Sequence, residues 1–153
     1  MYDVMDIANW FIYYNETKRE LFDEDTDEIS NLKLQKLLYY AQSAFLAIKN
    51  EVLFNDKIEA WRHGPVVPRV YDEYKKYGAS GIKEYNLDVV KCIENDDETR
   101  DILINVYDLF GEYSAWGLRN LTHSEEPWRT TPQDNVISCD KMAKTFKEKY
   151  LES

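Results

Sequence analysis

Asn31-Leu-Lys-Leu-Gln-Lys-Leu-Leu-Tyr-Tyr-Ala-Gln42 and, downstream, Ile58-Glu-Ala-Trp-Arg-His-Gly-Pro-Val-Val-Pro-Arg-Val-Tyr71 are the two stretches on which the fold turns. In the first, Leu34, Leu37, Leu38 and Ala41, continued by Phe45 and Ile48, recur at helical spacing. They predict a helix opening at Ser30 or Asn31. The second sets Trp61, Arg62, His63, Gly64, Pro65 and Pro68 within eight positions. Proline fixes φ and removes a donor, and glycine admits backbone shapes that other residues resist, so this segment is a rigid, shaped corner. Lys57 to Arg62 alternates polar and apolar residues, as a short strand entering that corner would. Pro68 suits a helix start, and Val70, Tyr71, Tyr74 and Tyr77 lead to a stop at Gly78. Two readings of the corner stand side by side. Either Trp61 plugs the core and Arg62 and His63 are solvated, or the three form a recognition surface, where such side chains concentrate.

Outward from this centre the chain reads as helices. Val4, Ile7, Ala8, Phe11 and Ile12 form an apolar stripe with Asp3 as N-cap. Glu20 to Glu28 holds six acids and no base, the pattern of a solvated loop. Leu87-Asp-Val-Val-Lys-Cys-Ile93 is a candidate second strand, followed by an acidic loop around Asn95 to Glu98. Ile102, Leu103, Val106, Leu109 and Phe110 mark a long helix. Ser114 caps a shorter one reaching Leu121, and Met142, Ala143, Phe146 and Tyr150 mark the last, near Asp140 to Tyr150. The expectation is a mainly α fold: residues 1–153 as a single compact helical domain of about six helices with a small β-ribbon.

Composition narrows the function. With 153 residues, 44% of them hydrophobic and 14% aromatic, the chain has ample material for a core. Twelve tyrosines and four tryptophans exceed a minimal core, and such side chains also serve partner contacts. Asp plus Glu outnumber Lys plus Arg by 29 to 19, a net charge of −10. Phosphate binding needs the opposite balance, so direct nucleic-acid binding is not expected, although Lys33, Lys36, Lys75, Lys76 and the terminal lysines could form a local strip. A negative domain would attract a basic partner. Cys92 and Cys139 read as ordinary thiols of a reducing compartment. With neither a signal-peptide pattern at Met1-Tyr-Asp-Val-Met-Asp6 nor an 18-residue apolar run, the expected location is cytoplasmic, away from membranes.

The two histidines, His63 and His123, both lie in distinctive wording, the latter in Leu121-Thr-His-Ser-Glu-Glu-Pro-Trp128. A catalytic reading pairs them with each other, or one of them with Glu126. Against it, the sequence has no nucleophile elbow, no phosphate loop and no His-Glu-x-x-His helix. Nor does it hold four zinc ligands at recognised spacing. Neither enzyme activity, metal nor cofactor is expected. Thr122, His123 and Glu126 are expected to cap a helix and hydrogen-bond the Gly64-Pro65 corner. Gln35 is expected to bond a neighbouring backbone, and Lys36 to share a solvated helix edge. The proposed surface comprises Trp61, Arg62, His63, Gly64, Pro65, Tyr71, His123, Glu126 and Trp128.

These segments resemble one family. Leu32-Lys-Leu-Gln-Lys-Leu-Leu-Tyr-Tyr-Ala-Gln42, then Leu53-Phe54, then Ile58-Glu-Ala-Trp61 with Gly64-Pro-Val-Val-Pro68 and Val70-Tyr71, are similar to the Panacea domain, also described as SocA-like or phage-associated GepA-like. Asp6-Ile7-Ala8 with Trp10-Phe11-Ile12 resembles its opening helix, and Thr122-His123 with Glu125-Glu126-Pro127-Trp128 its late element. Ser43 departs from it, standing where glycine is common, and the acidic insert Phe22 to Glu28 belongs to none of its motifs. The resemblance implies an antitoxin that neutralises a cognate toxin by direct protein contact, in one variant as an adaptor delivering the toxin to a Clp-type protease. The alternative is a phage or prophage accessory protein that inhibits a host defence or replication factor.

Overall fold

In the computed structural model, which describes residues 1–22 and 26–151, the second helix is the axis around which the rest is arranged. That helix, α2 (Asn31–Lys49), opens on Ser30, whose hydroxyl accepts from Lys33 N, and closes on Asn50 in the left-handed region. Fourteen of its nineteen residues are buried, so it has no solvent face of normal width. A helix apolar nearly all round must be enclosed by neighbours. Helix α1 (Val4–Phe22) packs on it and buries Ile7, Ala8, Trp10, Phe11 and Ile12 in the core, and Met5 N donates to the Asp3 carboxylate at its start.

The corner is a two-stranded antiparallel hairpin, β1 (Glu59–Trp61) and β2 (Gly64–Val66), with Glu59 opposite Val66 and Trp61 opposite Gly64. Residues 135–137 run along its outer edge: Ala60 N donates to Asn135 O at 2.9 Å and Ile137 N to Ile58 O at 2.8 Å. Helix α3 (Pro68–Tyr74) follows, with Pro68 in its first turn, and a tight turn, Lys75–Tyr77, ends at Gly78. Beyond it lie α4 (Leu87–Glu94), α5 (Asp97–Phe110), α6 (Ala115–Ser124), α7 (Glu126–Arg129) and α8 (Cys139–Phe146), the last extended by a wide turn, Lys147–Leu151. Helices α1, α5, α6 and α8 and strand β2 all pack on α2.

The architecture is mainly α with a small β-ribbon, as expected, but two elements differ. Leu87 to Ile93 is not a strand. Asn86 accepts from Asp88 N and Val89 N, which nucleates α4, and Val90 and Ile93 turn inward one helical step apart. The short α7 is the other addition, bringing the described residues to eight α-helices. Of the expected acidic loop at 95–98, Asp96 caps α5, while Asp97 and Glu98 occupy its first turn, where carboxylates favour the helix dipole. Of the acidic run at 20–28, expected to be a solvated loop, residues 20–22 instead end α1, residues 23–25 lie outside the described residues, and Glu28 pairs with Arg19 and Lys83. Both cysteines are free and exposed. No helix among the described residues is long and apolar enough to cross a membrane.

Candidate protein-binding site

Gly64 is the geometric centre of the site. Its φ of +113° is a conformation that side chains resist, and a Cβ there would meet Lys36 Cε at 2.6 Å and Thr122 Oγ1 at 2.9 Å. The missing side chain is what allows α2 and α6 to close on the hairpin from both sides. Lys36 fills this space: the side chain is fully buried, and Nζ donates to Pro65 O at 3.2 Å. The expected solvated edge is therefore wrong for Lys36. Burial, and secondarily the Arg119 guanidinium, pull its amine down to about 7. Gln35 behaves as expected, accepting from Val67 N at 2.9 Å, and its amide donates to Asn31 Oδ1. Gln42 clamps the next loop the same way, accepting from Leu53 N and donating to Phe54 O.

A second layer joins hairpin to C-terminal half. Trp128 Nε1 donates to Trp61 O at 2.8 Å, and the His123 ring stacks on Trp128 with centroids 3.7 Å apart. Trp61 is half-buried and meets Tyr71 edge-on at 5.1 Å, while its indole donates to Glu59. It is thus a bridge between layers; the fully buried tryptophan of the core is Trp10. Thr122 abuts Gly64, but its hydroxyl donates to Arg119 O at 2.8 Å, and His123 Nε2 is buried without a partner among the described residues, so the expected hydrogen bonds from these side chains to the Gly64-Pro65 corner are not formed. Glu126 makes none either. It is exposed at the start of α7, and its preceding neighbour Glu125 turns inward instead. Glu125 is 2% exposed and accepts from Tyr40 at 2.8 Å, Lys149 at 2.9 Å and Tyr150 at 2.5 Å.

The outer rim is polar and aromatic. Arg119 Nε donates to His63 Nδ1 at 3.3 Å, and its guanidinium lies 4.3 Å from the ring centre of Trp116, a residue 53% exposed. Partial loss of water, then Arg119 and Arg62, hold His63 below the ordinary imidazole value; burial, then Arg119 and Lys36, do the same to His123. The structure thus brings Trp61, His63, Gly64, Pro65, Tyr71, His123 and Trp128 into one connected region with Arg62 on its edge, and leaves Glu126 outside its bonding.

The Antitoxin SocA-like, Panacea domain family matches residues 34–129, which run from α2 through the hairpin to α7 and include every contact around Gly64. The chain belongs to this family. Antitoxin SocA of Caulobacter vibrioides (strain NA1000 / CB15N) is 38% identical over 109 residues, covering 65% of this chain and 58% of that protein. No solved structure matches. Within the Panacea span, sequence reasoning missed Lys36, Trp116, Arg119 and Glu125. A signal existed for the first: Lys36 is the sole charged residue between Lys33 and Lys49, in a stretch otherwise without a solvent face. Among the described residues no three His, Cys, Asp or Glu side chains are grouped to hold a metal ion. Of the lysines named for a local basic strip, Lys36 is buried on Pro65 O and Lys33 donates to Gly111 O.

Lys36 makes stability depend on pH in a predictable direction. Its folded value, about 7, lies below the unfolded value of 10.5, so the unfolded chain holds the extra proton between them. Stability from this group therefore rises with pH across that window, by about 2 kcal/mol from about pH 7 to about pH 9. Lys36→Met keeps the apolar stem and removes the titration. Denaturant midpoints across that range should climb for the wild type relative to the variant; parallel profiles would mean that the amine is solvated.

Proposed function

We propose that this Panacea-domain chain is an antitoxin-type binding module that neutralises a partner toxin by direct protein–protein contact, through the region around the β1–β2 hairpin. One observation carries the reading. Trp116, half-exposed on α6, stands beside Arg119 of the same helix and against His63 in the hairpin turn, and the hairpin is locked from behind by the Trp128 to Trp61 bond. Tryptophan and arginine dominate binding hot spots, and a pre-ordered scaffold spares them the entropy cost of assembly. The histidines fit this role, with His123 stacked on Trp128 and His63 held by Arg119. Family membership supports an antitoxin, because the matching relative bears that name.

The test is co-expression of the chain with the product of the reading frame beside its gene. Restored growth together with co-purification of the two proteins supports neutralisation by contact. Restored growth without any complex, and with the toxin chemically altered, argues for an enzyme. Delivery to a Clp-type protease is the adaptor form of the same proposal. It requires that toxin disappear only when protease and ATP are present.

A further inference from the structure

The net charge of −10 conceals one face of opposite sign. Lys36, Arg62, His63, Arg119 and His123 converge around Gly64, and the charges acting on one another there are all basic. Arg119 acts on Lys36, His63 and His123, Lys36 acts on both histidines, and Arg62 acts on His63. Among the described residues no carboxylate lies within ion-pair distance of Lys36, Arg62 or Arg119. The described acidic residues make their ion pairs elsewhere. The mutual repulsion is part of what lowers Lys36 and both histidines, so the positive charge of the group rests chiefly on Arg62 and Arg119, which have no counter-ion among the described residues.

The polar atoms are also left partly unused. His123 Nε2 is buried with no hydrogen-bond partner. Arg119 uses Nε on His63 and Nη1 on Asn120, and its Nη2 makes no hydrogen bond among the described residues. Because His63 Nδ1 accepts from Arg119, the ring proton resides on Nε2, which makes that atom a donor. Arg119 Nη2 and His63 Nε2, donors without acceptors beside Trp116, 53% exposed, specify an anionic group next to an apolar one.

We propose that Arg62, His63, Trp116 and Arg119, backed by Lys36 and His123, form a docking face for a carboxylate-bearing acidic segment of the partner protein. This rests on the protein-binding reading above and adds the partner's chemistry to it. The overall acidity of the chain would steer a basic partner, but the contact itself takes an acid. Charge complementarity selects a short acidic segment over a nucleic acid. Phosphate binding gains strength with each phosphate neutralised, and a polyanion extending past this small face meets the repulsion of the remaining surface.

The experiment measures affinity for the purified neighbouring-gene product at low and high salt. It compares wild type, Arg62→Glu/Arg119→Glu, and Lys91→Glu as a charge control on the exposed side of α4. Thermal melts confirm that each variant is folded, since the two arginines bond only at the surface. The double reversal is expected to weaken binding about 30-fold or more and to flatten the salt dependence, with Lys91→Glu within about twofold of wild type. Replacing the partner's acidic residues with lysine should recover affinity for the double reversal. If wild type binds and the double reversal binds equally well, the docking face is wrong while protein binding stands. If wild type does not bind, the protein-binding reading falls and takes this inference with it. Tighter binding to a single-stranded oligonucleotide than to the protein would reassign the face to phosphate.

Discussion

Glu125→Ala should lower stability by about 3–4 kcal/mol, a drop of about 10 °C in melting temperature for a chain of this size. The carboxylate is enclosed and holds three donors from two distant helical segments: Tyr40 on α2, and Lys149 and Tyr150 in the C-terminal turn. Tyr40 also stacks on Phe110 at 3.8 Å, and burial, then Glu125, hold its hydroxyl far above the usual tyrosine range. Truncation leaves that hydroxyl enclosed without an acceptor and opens a void beside it, and both effects are destabilising. Lys149 adds little to the loss, because it is partly exposed and regains water. Glu125→Gln preserves volume and one acceptor and should lose about half as much. Glu126→Ala, one position on and exposed, should change the melt hardly at all. Equal losses at the two positions would contradict the inward placement of Glu125.

Gly64→Ala is expected to cost about 2–4 kcal/mol. The added methyl both strains a backbone at φ +113° and runs into Lys36 Cε and Thr122 Oγ1. Gly78 provides the internal comparison. It too has positive φ, +58°, but nothing lies within 4 Å of its would-be Cβ. Gly78→Ala should therefore carry the backbone strain of φ +58°, ψ −130° alone, about 1–3 kcal/mol, with no clash added. Combining Gly64→Ala with Lys36→Ala makes room for the methyl, so the pair should lose less than the sum of the single changes. Chemical-denaturation midpoints decide it, and strict additivity would show that Lys36 does not occupy this space.

What the sequence revealed followed from periodicity and from backbone chemistry. The stripes at 4–12, 34–48 and 102–110 were legible because a helix repeats its buried face every three or four residues, although Ile48 and Leu109, counted in them, stand half exposed. The first strand and the rigid corner were legible from the alternation at 57–62 and from Gly64 and Pro65, but the return of Gly64–Val66 as the second strand was not; that partner was sought at Leu87 to Ile93. Leu87 to Ile93 was misread because a short run containing Val89 and Val90 suits either structure. The Asn86 cap decided it, and its effect depends on whether Asn86 faces the amides that follow. Lys36 was placed at a solvated edge because charge usually means exposure, and only the vacancy at Gly64, formed by residues far apart in sequence, reverses that. Glu125 and Glu126 are chemically alike and adjacent, so sequence gives no basis for choosing which turns inward. Arg119 and Trp116 carry no local signature; they matter through contact with His63, which lies in a different element.

The central claim is that this Panacea-domain chain acts by stoichiometric binding. The most direct measurement is a titration of the purified chain into a fixed amount of purified toxin, with toxin activity as the readout and no protease present. A binding module gives protection that grows linearly and saturates near an equimolar ratio, and a His63→Gln variant with weakened affinity regains full protection when supplied in excess. Complete protection at a small fraction of equimolar, accompanied by covalent change in the toxin and abolished by His63→Gln at any concentration, would contradict it.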